Sequence, residues 1–304
     1  MASISQEGST LEALEVDLFF SDLGQRSIEY NARASVPDFE ACVAEYARLS
    51  TEAKSACSGL YNLKYGPTRA EALDLFLAPG SLQLSPVFVF IHGGYWRSQS
   101  KDDAALMAKV FTDAGIAVAV LEYTLLPLAT LAEVVREMRG AISWLHQNAA
   151  CYGIDPTRIF IGGSSAGAHL VGMLLADGWH EEFGVPVDTV KGAMAISGLY
   201  DIRPICDIEA NDWLRLVPSQ AERLSPLFKI PDKAPPLVLS VGGLETQGFR
   251  NQTRAYAEAW RAKGHQLMMI DAPDRNHFNL LSELAWPDRS LTCAVLNMIE
   301  NSRR

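Results

Sequence analysis

From Tyr65 onward, short runs of apolar residues alternate along the chain with longer segments of helical pattern. Strands that are apolar along their whole length, separated by helices, are typical of a mostly parallel sheet that is covered on both faces. The alternation therefore predicts an α/β fold with a mostly parallel central sheet and helices on both faces. The predicted strands are Leu73–Leu77, Val87–Ile91, Ile116–Leu121, Ile159–Gly162, Val190–Ile196, Leu237–Val241 and Gln266–Ile270. The predicted helices lie near Asp103–Ala114, Leu131–Asn148, Ala166–Leu175, Asn251–Lys263 and Arg289–Asn301.

Two segments depart from this alternation. Residues 1–65 are mostly helical in pattern, with apolar residues at three- and four-residue spacing after Pro37, and we interpret them as a helical N-terminal extension. Residues from about 200 to 235 are rich in proline and break the rhythm, so we expect an insertion above the strand ends, where α/β sheets bind ligands. With 304 residues and no internal repeat, we expect one domain that spans residues 1–304.

Composition and charge exclude several classes of protein. The net charge is −10 and the sequence has no run of Lys and Arg, so an interaction with nucleic acid is not expected. No apolar run reaches the ~18 residues that span a bilayer, so we expect no membrane association. An acidic N-terminus is not a secretory signal, and scattered cysteines without a C-x-x-C pair indicate free thiols. These features favour the cytoplasm, with a Cys42–Cys57 disulfide as the alternative for one pair of thiols.

The pentapeptide Gly163-Ser164-Ser165-Ala166-Gly167 fits the pattern G-x-S-x-G and lies between a predicted strand and a predicted helix. In that context the pattern is typical of the nucleophile elbow of the α/β-hydrolase fold, a sharp turn that exposes a serine hydroxyl. The N-terminus of the following helix favours a developing negative charge. Ser165 has glycine at both the −2 and +2 positions, whereas Ser164 has Gly162 and Ala166, so Ser165 is the predicted nucleophile.

The segment His92-Gly93-Gly94-Tyr95-Trp96 directly follows a predicted strand. An HGG-type loop at this place supplies one half of the oxyanion hole of the fold, and the residue after the nucleophile supplies the other. We therefore predict that the N–H groups of Gly93, Gly94 and Ala166 form the oxyanion hole, with the Tyr95 N–H as an alternative donor. We expect His92 to brace the loop rather than act as a base, and Tyr95 to form a wall of the pocket.

His277 is the predicted base, because it follows the strand Gln266–Ile270 through a short polar loop at the carboxyl end of the sheet. The order of the fold is serine, acid, histidine, which leaves His169, His180 and His265 as competitors. His169 lies on the helix that carries the elbow, His180 lies in a polar loop, and His265 precedes the last strand.

Glu245 is the predicted acid, since it follows the strand Leu237–Val241 through two glycines, also at the carboxyl end. Its role would be to orient the imidazole and to stabilise the imidazolium. Asp271 and Asp274 lie close to His277 in sequence, and Asp201 follows an earlier strand, so these three remain alternatives.

The motifs together resemble the kynurenine formamidase (arylformamidase) branch of the α/β-hydrolases, close to the esterase and lipase branch with HGG loops. The resemblance extends over nearly the whole chain. It rests on HGGYW (His92–Trp96), GGSSAGAH (Gly162–His169), ISGLYDIRP (Ile196–Pro204), NHF (Asn276–Phe278) and EYNAR (Glu29–Arg33). It implies a triad of Ser165, Glu245 and His277. Members of the branch often have His in place of Ser164, Gly in place of Ala168 and Asp as the acid, and these differences weaken the substrate assignment more than the reaction type.

The resulting hypothesis is a serine hydrolase that cleaves an aryl formamide such as N-formylkynurenine through an acyl-enzyme, with water as the second substrate. A carboxylesterase or amidase acting on another small acyl group is the first alternative, and a non-catalytic scaffold that binds a small ligand is the second. We expect no metal and no cofactor, because H-E-x-x-H and G-x-G-x-x-G are both lacking, and a homodimer is a candidate assembly. The candidate substrate-binding residues are Tyr95, Trp96, Tyr200, Trp213, Phe249 and Phe278.

Overall fold

The structure is a computed structural model that describes residues 17–80 and 83–302. These residues form an eight-stranded sheet in the order β1-β2-β4-β3-β5-β6-β7-β8. The strands are β1 Gly59–Lys64, β2 Ala72–Phe76, β3 Ser85–Ile91, β4 Ala117–Leu121, β5 Ile154–Ser164, β6 Val190–Ile196, β7 Leu237–Gly242 and β8 Leu267–Ala272. Strand β2 is antiparallel to both of its neighbours, and every other pair is parallel. The prediction of a mostly parallel sheet is confirmed.

Helices cover both faces of this sheet. The helices are α1 Leu23–Glu29, α2 Phe39–Ser55, α3 Ala108–Asp113, α4 Leu131–Asn148, α5 Ala166–Leu175, α6 Asn211–Leu214, α7 Pro218–Arg223, α8 Gln247–Ala262 and α9 Ser290–Asn301. Helix α3 connects β3 to β4 in one direction across the sheet, whereas α4, α5 and α8 connect strands in the other direction. Because such crossovers are right-handed, the two sets lie on opposite faces. Within the ranges described, no helix combines the length and apolarity needed to cross a membrane.

The N-terminal extension differs from the helical prediction at one place. Residues 59–64 form strand β1, which pairs antiparallel with β2 at the edge of the sheet and is largely exposed. The prediction of helix there is wrong because an edge strand has no continuous apolar run, and its pairing partner decides its conformation. Residues 1–16 of the predicted extension lie outside the described residues. Cys42 and Cys57 are free thiols, so the alternative disulfide is not formed.

The parallel register brings the carboxyl ends of the central strands to one edge of the sheet. Ile91 at the end of β3 lies beside Gly163 of β5, and Ser164 lies beside Ile196 at the end of β6. The loops that follow these strands therefore leave from the same edge, together with those after β7 and β8. In an open α/β sheet this edge is where ligands bind.

Candidate active site

Ser165 stands at a strained turn between β5 and α5. Its backbone has φ 57° and ψ −119°, a conformation that side-chain-bearing residues rarely adopt. The turn is held by a hydrogen bond from the Ser165 N–H to the carbonyl of Ile196, at 2.9 Å. A Cβ on Gly167 would clash with the carbonyl oxygen of Ile91, so only glycine allows the elbow to approach strand β3 this closely.

Ser165 and His277 line the same cleft, which has a volume of about 580 Å³ and lies at the carboxyl edge of the sheet. Four parts of the chain form its walls: the N-terminal extension, the loop after β3, the proline-rich segment near residue 210, and the loop that carries His277. Among the described residues the Ser165 hydroxyl has no hydrogen-bond partner. It is therefore free to bond to the imidazole or to a substrate, and such bonds often tighten only in the substrate complex.

The predicted acid and the predicted base are joined by a buried hydrogen bond. His277 Nδ1 lies 2.7 Å from Glu245 Oε2, and the Glu245 side chain is completely buried. The ring of Phe249 packs against the imidazole, with centroids 4.4 Å apart. Since Nδ1 is engaged by the carboxylate, Nε2 is the nitrogen that remains for proton exchange with a hydroxyl.

Two further groups hold the Glu245 carboxylate, and one of them is a side chain that was not predicted. The Ser197 hydroxyl donates to Glu245 Oε1 at 2.6 Å, and the Gly242 N–H donates to the same oxygen at 2.6 Å. Ser197 is fully buried and has φ 54°. It directly follows β6, so its position at the end of a central strand was the sequence signal that could have identified it.

The loop after β3 lies directly over the elbow. A Cβ on Gly93 would lie 2.9 Å from the carbonyl oxygen of Ser164, so the loop backbone is already in contact with the turn. Gly94, Tyr95 and Trp96 all have positive φ, between 53° and 92°. Gly93 and Gly94 line the cleft, as an oxyanion hole requires.

Ala166 is the first residue of α5, where a backbone N–H has no partner inside the helix. Its N–H is therefore available as the second half of the predicted oxyanion hole.

His92 braces this loop. Its Nε2 lies 3.0 Å from Glu122 Oε1, its Nδ1 lies 2.9 Å from the Gly93 carbonyl oxygen, and its ring is stacked on Tyr123 with centroids 4.3 Å apart. The Tyr123 hydroxyl donates to the Gly93 carbonyl at 3.0 Å. With both ring nitrogens engaged and the side chain buried, His92 is not in a position to serve as the base.

Three of the six candidate substrate-binding aromatic residues line the cleft: Tyr95, Trp213 and Phe278. The Tyr95 hydroxyl donates to the Tyr30 carbonyl at 2.7 Å, and the Trp213 Nε1–H donates to the Tyr95 carbonyl at 3.1 Å. The Trp213 ring is perpendicular to the Tyr95 ring, with centroids 5.9 Å apart. These contacts fix the orientation of the two rings that form this wall.

The other three aromatic residues belong to the core, and their assignment to the substrate pocket is corrected. Trp96 is fully buried and packs edge-on against His169, below the elbow. Tyr200 is fully buried and stacks on Tyr256 with centroids 4.1 Å apart. Phe249 is 1% exposed and packs against the imidazole of His277, and it is not among the described residues that line the cleft.

The alternative acids lie elsewhere. Asp201 is fully buried and makes a two-pronged ion pair with Arg203, at 2.9 and 2.7 Å. Asp271 and Asp274 are exposed. Of the alternatives, none therefore competes with Glu245 for the imidazole.

The alternative bases are engaged in the core or at the surface. His169 Nε2 lies 2.7 Å from the Leu224 carbonyl, and burial lowers the pKa of His169 to about 4. His180 stacks on Trp179, and desolvation lowers its pKa as well. His265 Nε2 is bound to the carbonyl of Pro231.

A family model described as BD-FAE matches residues 73–245 of the chain. The chain belongs to the BD-FAE family. The matched range runs from strand β2 to the predicted acid Glu245, so it contains the loop over the elbow and the elbow itself as well.

Curated relatives of this BD-FAE protein are formamidases and esterases. Kynurenine formamidase of Salmo salar is 29% identical over 257 residues, which is 82% of this chain and 85% of the relative. Kynurenine formamidase of Danio rerio is 28% identical over 280 residues, 90% of this chain and 93% of the relative. Isoprenylcysteine alpha-carbonyl methylesterase of Arabidopsis thaliana is 25% identical and covers 72% of this chain and 56% of the relative. The resemblance to the kynurenine formamidase branch is confirmed.

Solved structures agree with the fold. A candidate thioesterase from Silicibacter sp. is 27% identical, with a TM-score of 0.74, and covers 89% of this chain and 98% of its own. An esterase from Pyrobaculum calidifontis has a TM-score of 0.68 at 16% identity, over 92% of this chain and 98% of its own. The BD-FAE protein has the α/β-hydrolase fold, and it is a hydrolase that acts on small acyl substrates.

Proposed function

We propose that this BD-FAE protein is a serine hydrolase that cleaves an aryl formamide such as N-formylkynurenine through an acyl-enzyme. The observation that carries the proposal is the buried Glu245–His277 hydrogen bond, whose imidazole lines the same cleft as the strained Ser165 elbow. A carboxylate, an imidazole and a serine in this relation are the components of a Ser-His-acid triad. The two relatives named kynurenine formamidase support the formamide as substrate.

The first half of the proposed reaction transfers the formyl group to Ser165. The Ser165 oxygen forms a bond to the carbonyl carbon while its proton passes to His277 Nε2, and the N–H groups of Gly93, Gly94 and Ala166 stabilise the oxyanion. The carbon–nitrogen bond then breaks, and the imidazolium returns its proton to the leaving arylamine. Glu245 holds the imidazole in the required tautomer throughout.

The second half releases the formyl group. A water molecule gives a proton to His277 and bonds to the carbonyl carbon of the formyl ester, and the tetrahedral intermediate collapses with return of the proton to the Ser165 oxygen. The products are free enzyme and formate.

The walls of the cleft support an aromatic leaving group that carries charges of both signs. Tyr30, Phe39, Tyr46, Tyr95, Trp213 and Phe278 all line it. Arg33 lies beside Glu40 at 2.8 Å, and the Arg97 guanidinium lies 3.9 Å from the centroid of the Trp213 ring. These groups also line the cleft. A leaving group that is an amino acid could therefore place its carboxylate near the arginines and its ammonium group near Glu40.

A second candidate function is the hydrolysis of a small carboxylic ester, which the methylesterase relative favours. The same triad would perform this reaction, with an alkoxide in place of the amine as the leaving group. The ratio of kcat/KM for N-formylkynurenine to that for p-nitrophenyl acetate separates the two candidates. A ratio well above one supports the formamide, and a ratio well below one supports the ester.

The experiment that tests the proposal combines formate release with labelling of the nucleophile. Purified protein is expected to release formate from N-formylkynurenine and to be labelled by a serine-directed phosphonate. Ser165→Ala is expected to lose both properties, whereas Ser164→Ala, the neighbouring serine of the same turn, keeps the label. Labelling of Ser165→Ala, or full activity of that variant, would show that the nucleophile is another group.

A further inference from the structure

The first residue of the EYNAR segment, Glu29–Arg33, lies beside helix α8. The carbonyl oxygen of Glu29 accepts from the Thr246 hydroxyl at 2.5 Å. The carboxylate of Glu29 accepts from the Gly248 N–H at 2.9 Å. Thr246 is the N-cap of α8 and Gly248 is its second residue, and the helix begins two residues after the predicted acid Glu245.

Helix α8 lacks the cap that its own sequence would provide. A threonine at the N-cap ordinarily accepts a hydrogen bond from the first turn through its side chain. Thr246 occupies that position, but its side chain accepts no such bond, and its hydroxyl points to the carbonyl of Glu29. The carboxylate of Glu29 takes over the free N–H of the first turn, from a position 219 residues earlier in the chain.

The next residue ties the same segment to the loop over the elbow. The Tyr30 carbonyl accepts from the Tyr95 hydroxyl at 2.7 Å, and the Tyr30 hydroxyl accepts from Gln252 Nε2 at 3.0 Å. Glu29 and Tyr30 thus connect the start of the helix that follows the acid to the loop that carries the predicted oxyanion donors. Tyr30 lines the cleft, whereas Glu29 is not among the described residues that form its walls.

We propose that Glu29 is a positioning residue for the catalytic acid. By capping α8, it fixes the start of the helix and with it the turn that presents Glu245 to His277. This inference rests on the proposed triad. Because Glu29 acts on the acid and does not line the cleft, its loss reduces the stabilisation of the transition state and leaves substrate binding nearly intact.

The test compares three variants in the full-length protein. Glu29→Ala is expected to lower kcat about fivefold to tenfold, the effect of one lost cap, with KM within about twofold of wild type. Glu29→Gln keeps an acceptor for the Gly248 N–H and is expected to restore most of kcat. Asn251→Ala is the matched control. The Asn251 amide donates to the Asp17 carbonyl at 2.7 Å, so this variant also removes a bond between α8 and the N-terminal segment, but about one turn further along the helix than Gly248.

Proton NMR supplies a readout that does not depend on turnover. The hydrogen-bonded His277 Nδ1–H is expected to give a low-field resonance that is absent in His277→Ala. This resonance should weaken or broaden in Glu29→Ala and persist in Asn251→Ala. Thermal melting of each variant shows whether it is folded, and Glu29→Gln serves as the folded variant if the alanine variant is not.

Wild-type kcat and an unchanged resonance in Glu29→Ala would overturn the inference. Equal losses of kcat in Glu29→Ala and Asn251→Ala would overturn it too, because both would then act only by loosening the N-terminal segment. A failure of the proposed function itself is recognised separately, since the phosphonate would then fail to label Ser165 in the wild-type protein.

Discussion

Removal of the Ser197 hydroxyl tests how strictly catalysis depends on the environment of Glu245. The hydroxyl donates to Glu245 Oε1 at 2.6 Å in a fully buried place, and it is one of three donors that hold the carboxylate. In Ser197→Ala, Oε1 keeps only the Gly242 N–H. The carboxylate can then rotate away from the orientation that supports the imidazole.

The magnitude follows from the kind of bond that is lost. A hydrogen bond to a charged group contributes about 1.5–3 kcal/mol. If the whole contribution is felt in the transition state, kcat/KM falls by about tenfold to 150-fold. The remaining Gly242 N–H shares Oε1, so we expect a value toward the lower end, about tenfold to thirtyfold. The effect should fall on kcat, since Ser197 is not among the described residues that line the cleft.

Steady-state kinetics on an aryl formamide and urea unfolding measure the two consequences separately. Ser240→Ala is the matched control, because Ser240 is a fully buried serine on the neighbouring strand whose hydroxyl donates to the Ile270 carbonyl at 2.8 Å. Both variants lose a buried hydrogen bond and should lower the free energy of unfolding by about 1 kcal/mol or more. Only Ser197→Ala should lower kcat. The reasoning is refuted if the two variants lose stability equally and both keep wild-type kcat.

Three further predictions concern pH, the loop over the elbow and the cleft wall. Burial lowers the pKa of His169 from 6.5 to about 4, so the unfolded chain takes up the proton first as pH falls. The free energy of unfolding is therefore unaffected by this group above pH 6.5 and falls by about 3 kcal/mol as the pH drops to 4. Urea unfolding of His169→Gln should show a smaller decrease over this range, and a decrease equal to that of the wild type would contradict the prediction. Gly93→Ala places a Cβ 2.9 Å from the Ser164 carbonyl oxygen and should lower kcat about tenfold to a hundredfold, whereas Gly140→Ala, whose Cβ meets nothing within 4 Å, should keep it. Trp213→Ala should raise KM for N-formylkynurenine by more than KM for p-nitrophenyl acetate, and an equal change in both would argue against its role as a wall for the aryl group.

The regular elements were predictable where local signals and burial agree. Helix α4 was predicted at Leu131–Asn148 and has these ends, because the Thr130–Glu133 capping box and the apolar spacing indicate the same start. Strand β1 was missed because its identity depends on pairing with β2, which no local pattern records. Helix α8 begins four residues before its predicted start, since its first turn is capped by Glu29 from outside the helix.

The site was predictable as far as the order of strands and loops determines it. Ser165, Glu245 and His277 each follow a parallel strand, so the topology alone brings their loops to one edge. The order of strands and loops did not distinguish the aromatic residues that line the cleft from those that lie in the core. Tyr95 and Trp96 are neighbours in the sequence, yet Tyr95 lines the cleft and Trp96 is buried in the core, a difference that their shared aromatic character does not reveal.

The geometry divides the work of the site between two sets of residues. The predicted triad comes from the loops at the carboxyl ends of parallel strands, and buried hydrogen bonds hold its acid and its base. Much of the cleft wall instead comes from the N-terminal extension and the proline-rich segment. Tyr46 of the extension donates to the Phe278 carbonyl at 2.5 Å, and Phe39 packs edge-on against the Phe278 ring at 5.3 Å, so this wall rests on the residue next to the base. Changes in the wall should therefore act first on KM and on substrate choice. Such changes should lower kcat only when they disturb a contact between the wall, or the segment that supports it, and the loops that carry the predicted triad. The contacts of Phe278 and Glu29 are of this kind.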